Sequence, residues 1–279
     1  MDTSAPKQRL LRGADVGFAT RIANADLSTI YLLICCVAAT ALAFLTPPFW
    51  VQDEQDHFFR AYQLSEFELL GSVRDGTLGA VLPESLYKVS LPFVQSGRAD
   101  PFVVADVVAL ARIPLEPGRR RFLDLTYSGT RPPLAYAPQI AAIWFGRALG
   151  FGPLELFHAA RLANCLAALL LVALALRLIP TGKPTLFALA AMPAPLTLFA
   201  SVSPDAMTIA TMIAFTALAV RASFRGRWTP GAFAAAAALA TVACMHRPTY
   251  APLLLIGLPA VFHDARRLRT LAEIGRAHV

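Results

Sequence analysis

Asp53 and His57 stand four residues apart in the run Pro47-Pro48-Phe49-Trp50-Val51-Gln52-Asp53-Glu54-Gln55-Asp56-His57. On a helix that spacing puts both side chains on one face, with Asp56 beside them. A carboxylate there could take the proton of an acceptor hydroxyl as a general base. A carboxylate with an imidazole could also hold a divalent cation such as Mg or Mn. The same residues have a purely structural reading: Asp53 as a helix N-cap, Glu54 and Asp56 at the positive helix end, and Asp56 paired with Arg60.

Three further groups carry polar chemistry. Ser203-Pro204-Asp205 precedes an apolar block, where Asp205 is either a cap or a second acidic group. His246-Arg247-Pro248-Thr249-Tyr250 offers Arg247 as a phosphate contact, with His246 and Tyr250 beside it. A snorkelling arginine is its structural alternative. His158, Arg161 and Asn164 form a polar stripe within another apolar block, and paired interior polar groups would explain it. Tyr127, Arg131-Pro132-Pro133 and Tyr136 are weaker candidates for the same surface. Walker A, GxGxxG, HExxH and GxSxG patterns are absent from the sequence.

The elements that must position these residues are membrane helices. Of 279 residues 56% are hydrophobic and 15% charged, with mean hydropathy +0.55. Ordinary soluble domains carry about 25% charged residues, so a soluble domain and a disordered chain are both excluded. The net charge of +7 comes without a basic face interleaved with exposed aromatics, so nucleic acid is not an expected partner and the lipid bilayer is. Cys35, Cys36, Cys165 and Cys244 all lie in apolar blocks with no CxxC spacing, which points to neither zinc nor disulfides.

The fold expected is all-α: a polytopic transmembrane bundle with a helical extracytoplasmic loop after the first span. Residues 1–26 form a basic cytoplasmic segment, Leu27–Pro47 the first span, and about 51–133 the outer loop. Within that loop Gln52–Leu70 reads as an amphipathic helix, and Phe102–Leu115 as an interfacial or packed one. Apolar blocks follow at Leu134–Leu149, Leu154–Ile179, Pro184–Val202, Ala206–Phe224, Pro230–Met245 and Thr249–Phe262. Arg177 with Lys183, Arg221 with Arg225 and Arg227, and Arg266 with Arg267 and Arg269 fall in alternate loops, which marks those loops as cytoplasmic. This pattern sets Asp205 on the side of Asp53, provided that Leu134–Leu149 does not cross. That block is short and holds Pro138 and Arg147, so it reads as a partial helix on the outer side.

The last seven residues, 273–279, back-translate as GAG ATC GGA AGA GCA CAC GTC, the string of a sequencing-library adapter. The membrane domain is therefore taken as 27–272, with the natural chain expected to continue beyond Ala272.

The order of short motifs resembles one bacterial membrane family. Pro48-Phe49-Trp50-Val51-Gln52-Asp53-Glu54-Gln55-Asp56-His57 with Arg60-Ala61-Tyr62, then Tyr136-Ala137-Pro138, Arg161-Leu162-Ala163-Asn164, Met192-Pro193, Ser203-Pro204-Asp205 and Pro248-Thr249-Tyr250 are similar to the family catalogued as domain of unknown function 2142. The likeness runs from about Leu27 to Phe262, with His246-Arg247 where a lysine is expected. That family looks like a relative of the C-type glycosyltransferases, which use polyprenyl-phosphate-linked sugars outside the cytoplasmic membrane. The resemblance implies a multi-pass protein of the bacterial inner membrane that transfers sugar to a cell-envelope glycan or lipid. It implies Asp53 as base or metal ligand, Glu54 in support, Asp205 as a second acidic group, and His57, Arg161, His246, Arg247 and Tyr250 as substrate contacts. A transporter or flippase for lipid-linked glycans, and a non-catalytic membrane assembly subunit, are the alternative readings.

Overall fold

The computed structural model of the chain describes residues 26–95 and 104–262. The expected N-terminal segment (apart from Asp26), the arginines at 266, 267 and 269, and the 273–279 tail lie outside the described residues. Helix α1 (Leu27–Leu45) is followed by α2 (Glu54–Ser65), strands β1 (Ser72–Arg74) and β2 (Thr77–Pro83), α3 (Glu84–Gln95), α4 (Val104–Ala111) and β3 (Arg120–Asp124). A 3-10 turn at Pro133–Tyr136 leads into α5 (Ala137–Ala148) and α6 (Pro153–Leu178). Then come α7 (Lys183–Ala190), α8 (Pro193–Phe199), α9 (Asp205–Arg225), α10 (Pro230–His246) and a 3-10 segment at Pro248–Gly257. The all-α bundle expected from composition is borne out.

Among the described residues three helices are long and apolar enough to cross a bilayer: α1, α6 and α9. At 1.5 Å per residue they run about 28, 39 and 32 Å, against a hydrocarbon core of about 30 Å. In α1 the buried residues Tyr31, Cys35, Ala39 and Ala43 recur every fourth position, and this narrow face packs on Cys165, Ala168, Leu169, Val172 and Leu176 of α6. Small residues let the two backbones approach, as membrane helices require. Leu33, Ile34, Val37 and Leu45 on the opposite face stay exposed, an apolar surface suited to lipid.

The expected single block Pro184–Val202 is two short helices instead. Pro193 has no amide hydrogen and forces its predecessor out of helical geometry; Met192 takes φ −62° and ψ 150°, and α8 begins after it. The block at Thr249–Phe262 begins as a 3-10 segment, with Pro248 at its start and Pro252 inside it.

The segment between α1 and α5 also departs from the expectation that it would be helical. It holds a three-stranded antiparallel sheet in the order β1-β2-β3, beside α2, α3 and α4. Arg74 pairs with Thr77 across a two-residue turn of Asp75 (φ 49°) and Gly76 (φ 77°). Both central residues have positive φ, the geometry that Asp-Gly favours in a tight hairpin. Ala80, Leu82 and Leu123 of the sheet are buried against Phe58 and Phe59 of α2 and Leu86, Val89 and Phe93 of α3.

Hydrogen bonds at the helix ends establish direction. Arg177, near the end of α6, donates to Ser28 Oγ at the start of α1 (2.9 Å). Arg161, near the start of α6, donates to Ala43 O (2.8 Å) and Thr46 O (2.9 Å) at the end of α1. The two helices are therefore antiparallel, and everything between them begins and ends at one end of the bundle. That agrees with a non-crossing Leu134–Leu149: α5 is about 18 Å long, too short for a span.

Candidate functional site

One cluster of buried polar contacts builds the frame. Arg161 and Glu54 are both fully buried, and they meet side by side, Nε to Oε1 at 2.8 Å and Nη2 to Oε2 at 2.7 Å. The remaining guanidinium donors reach Ala43 O, Thr46 O and Pro47 O, and Glu54 Oε1 also accepts from Val202 N at 3.0 Å. A single pair thus ties the end of α1, the start of α2, α6 and the α8–α9 loop. Asn164, one turn on, donates to Ser201 O (2.7 Å) and Ser203 O (2.9 Å) and fixes the same loop.

On that frame lies a cleft of about 250 Å³, lined among others by Asp53, Asp56, His57, Arg131, Asp205 and Arg247. Asp53 occupies the N-cap position of α2 with φ 58°, and its carboxylate makes no capping bond. Aspartate is one of the few side chains that tolerate left-handed backbone. Its carboxylate is exposed at the cleft. Asp205 is not consumed by capping either, because Ser203 Oγ accepts from Asp205 N (3.2 Å). Instead Asp205 accepts from Arg247 Nε (3.0 Å) and Nη2 (2.9 Å), and its Oδ1 lies 3.2 Å from His246 Nε2. An ionised carboxylate only accepts, so Nε2 of His246 carries the proton. Two-point pairing fixes the guanidinium plane; among the described residues Nη1 of Arg247 has no protein partner.

His57 Nδ1 is joined to Tyr136 Oη at 2.8 Å, and Ser128 Oγ donates to Asp56 O at 3.0 Å. Arg60 is buried but does not pair with Asp56; it donates to Arg131 O (2.7 Å) and Leu69 O (2.7 Å). Through that bond α2 positions Arg131 at the cleft wall.

Of the residues singled out by sequence, Asp53, His57, Asp205, His246 and Arg247 are brought together. Glu54 and Arg161 lie beneath the cleft, not on its wall. Tyr250 packs with the α9–α10 cluster of Met212 and Phe215 and does not line the cleft, and its amide donates to Arg247 O at 3.0 Å. His158 stacks on Phe44, meets Phe157 edge-on and does not line the cleft. Among the described residues no three His, Cys, Asp or Glu side chains gather as metal ligands do. Asp53 and His57 thus stand without a third such side chain grouped beside them.

Sequence reasoning missed a larger neighbouring groove, about 760 Å³, lined by Arg74, Asp75, Tyr87, Arg121, Phe122 and Asp124. Asp56 and Tyr127 line both cavities. The Asp75-Gly76 dipeptide was the available signal, since it marks the hairpin on which the groove is built.

Burial pushes His57 down to about 4, with Asp205 opposing the shift and His246, Arg131 and Arg247 adding to it. Burial pushes Asp56 up to about 6, helped by Asp53 and Asp124. Between pH 4 and 6.5 the unfolded chain holds more protons at His57 than the folded one, so acidification through that window removes stability. At Asp56 the folded chain holds more protons between 3.8 and 6, so acidification there adds stability. The two effects oppose each other. Asp56→Asn is expected to lose stability more steeply than the parent from pH 6.5 to 4, and His57→Phe less steeply. Melting curves across that range check both, and three parallel slopes would refute the assignment.

The fold and the cleft define a class: a multi-pass helical membrane protein with a charged site at one end of its bundle. More narrowly, the chain belongs to the family described as predicted membrane protein (DUF2142), whose family model matches residues 35–274. No curated protein and no solved structure matches it.

Proposed function

We propose that the protein is a membrane glycosyltransferase, moving a sugar from a polyprenyl-phosphate donor to a cell-envelope acceptor at the outer face of the inner membrane. The observation that supports this most is the convergence of an unengaged carboxylate, Asp53, with a fixed guanidinium, Arg247, in one cleft at the end of the spanning helices. Arg177, Lys183, Arg221, Arg225 and Arg227 belong to the opposite end. The positive-inside rule supports a reading with that end, where α1 begins, in the cytoplasm and the cleft outside.

In this reading the acceptor hydroxyl gives its proton to Asp53 as its oxygen bonds to the anomeric carbon. The bond from that carbon to the phosphate oxygen breaks, and the leaving polyprenyl phosphate keeps the electron pair. Arg247, held by Asp205, stabilises the charge that develops on it, with His246 alongside. Asp205 is a positioning residue, and so is Tyr136 through its bond to His57.

A transporter would need interior polar groups such as Arg161 and His158 to line a path through the bundle. Arg161 has all its donors committed to protein groups and His158 is packed between rings, so neither supports that reading.

The test is the full chain in proteoliposomes with a labelled polyprenyl-phosphate hexose and an envelope glycan acceptor. Label on the acceptor with stoichiometric release of polyprenyl phosphate is the expected result. Intact donor crossing the bilayer would replace this reading with a transporter, and neither event would favour an assembly subunit.

A further inference from the structure

At the opposite end of the bundle, where α9 ends and α10 begins, a smaller cavity of about 170 Å³ is lined by Arg221, Arg225, Arg227 and Thr229, with Leu218 and Ala232. The local sequence builds it. Arg221 and Arg225 are four residues apart and share a face of α9. Gly226, at φ 64°, turns the chain, and Arg227 N bonds back to Ala222 O (3.1 Å), which swings Arg227 toward the same space. Thr229 caps α10 by accepting from Ala232 N (3.3 Å).

The charges here are unlike those of the buried frame and the Asp53 cleft. Arg60, Arg161 and Arg247 are each held by carboxylates or carbonyls. Among the described residues Arg221, Arg225 and Arg227 have no hydrogen-bond or ion-pair partner, so three like charges meet around one cavity without a counter-charge. Exposed Phe224 and Phe233 flank them, and Trp228 packs edge-on against Phe233. Tryptophan favours the level of lipid headgroups, and basic pockets between spanning helices suit anionic ones.

We infer that this cavity binds the phosphate headgroup of an anionic phospholipid, whose acyl chains run along the apolar flank at Phe224 and Phe233. The phosphate chemistry alone would also suit free phosphate, but the apolar flank and the bundle end favour the lipid source. The site is independent of the cleft at Asp53.

The test is lipid binding to the purified full chain in detergent, read by native mass spectrometry with phosphatidylglycerol against phosphatidylcholine. Phosphatidylglycerol is expected to bind preferentially, and the preference to weaken as ionic strength rises. Each arginine contributes about fivefold near a membrane surface, so Arg221→Gln with Arg225→Gln and Arg227→Gln should lose about 100-fold. The matching triple lysine variant should keep the preference, which separates loss of charge from loss of fold. Equal binding of both lipids, or a preference that survives the triple glutamine change, would overturn the inference. Displacement of bound phosphatidylglycerol by inorganic phosphate alone at millimolar concentration would overturn the lipid source.

Discussion

Arg161→Met is expected to destabilise the folded protein by about 3–5 kcal/mol, the cost of breaking a buried ion pair from one side. Both partners are fully buried, so the substitution leaves the Glu54 carboxylate inside the protein with only Val202 N as a donor. It also releases the carbonyls of Ala43, in the last turn of α1, and of Thr46 and Pro47 just beyond it. Unfolding in a denaturing detergent, followed by helical signal and by protease sensitivity, measures the loss. Glu54→Leu combined with Arg161→Met should be milder than Arg161→Met alone, because no charge is left unpaired. Wild-type stability of the single variant would show that the pair does not hold the frame.

Under the proposed function, Asp53→Asn is expected to lower kcat for sugar transfer by about 100- to 10,000-fold, the range lost with a general base, while abundance and melting stay unchanged. The substitution separates chemistry from fold unusually well. Asparagine tolerates positive φ as readily as aspartate, and the Asp53 carboxylate makes no cap bond that could be lost. Asp205→Asn should behave differently: it frees Arg247 and weakens the hold on His246, so KM for the lipid donor should rise along with a fall in kcat. Kinetics of both variants in proteoliposomes decide the matter. Transfer by Asp53→Asn at the parent rate would remove that residue as the base.

The two variants also show how legible the site was. Charge alternation along the chain set Asp205 on the side of Asp53, and the cleft holds both. The choice between cap and functional group was not legible. Spacing places Asp53 at a helix start in either case, and only the positive φ and the Ser203 bond show that neither carboxylate is spent on capping. The family resemblance implied Glu54 in support of Asp53, as the second member of an acidic pair. On a helix adjacent residues point about 100° apart, and Glu54 faces inward.

Composition and the length of apolar blocks determined by themselves that this chain is a helical membrane protein, and they located α1, α6 and α9, because burial in lipid is a local demand on each segment. The order of motifs likewise determined the family. Tertiary structure alone decided the partner of Arg161, which lies 107 residues away, and the sheet that walls the larger groove. Those outcomes depend on which distant groups satisfy one another once water is excluded, and no local period in the sequence encodes that choice.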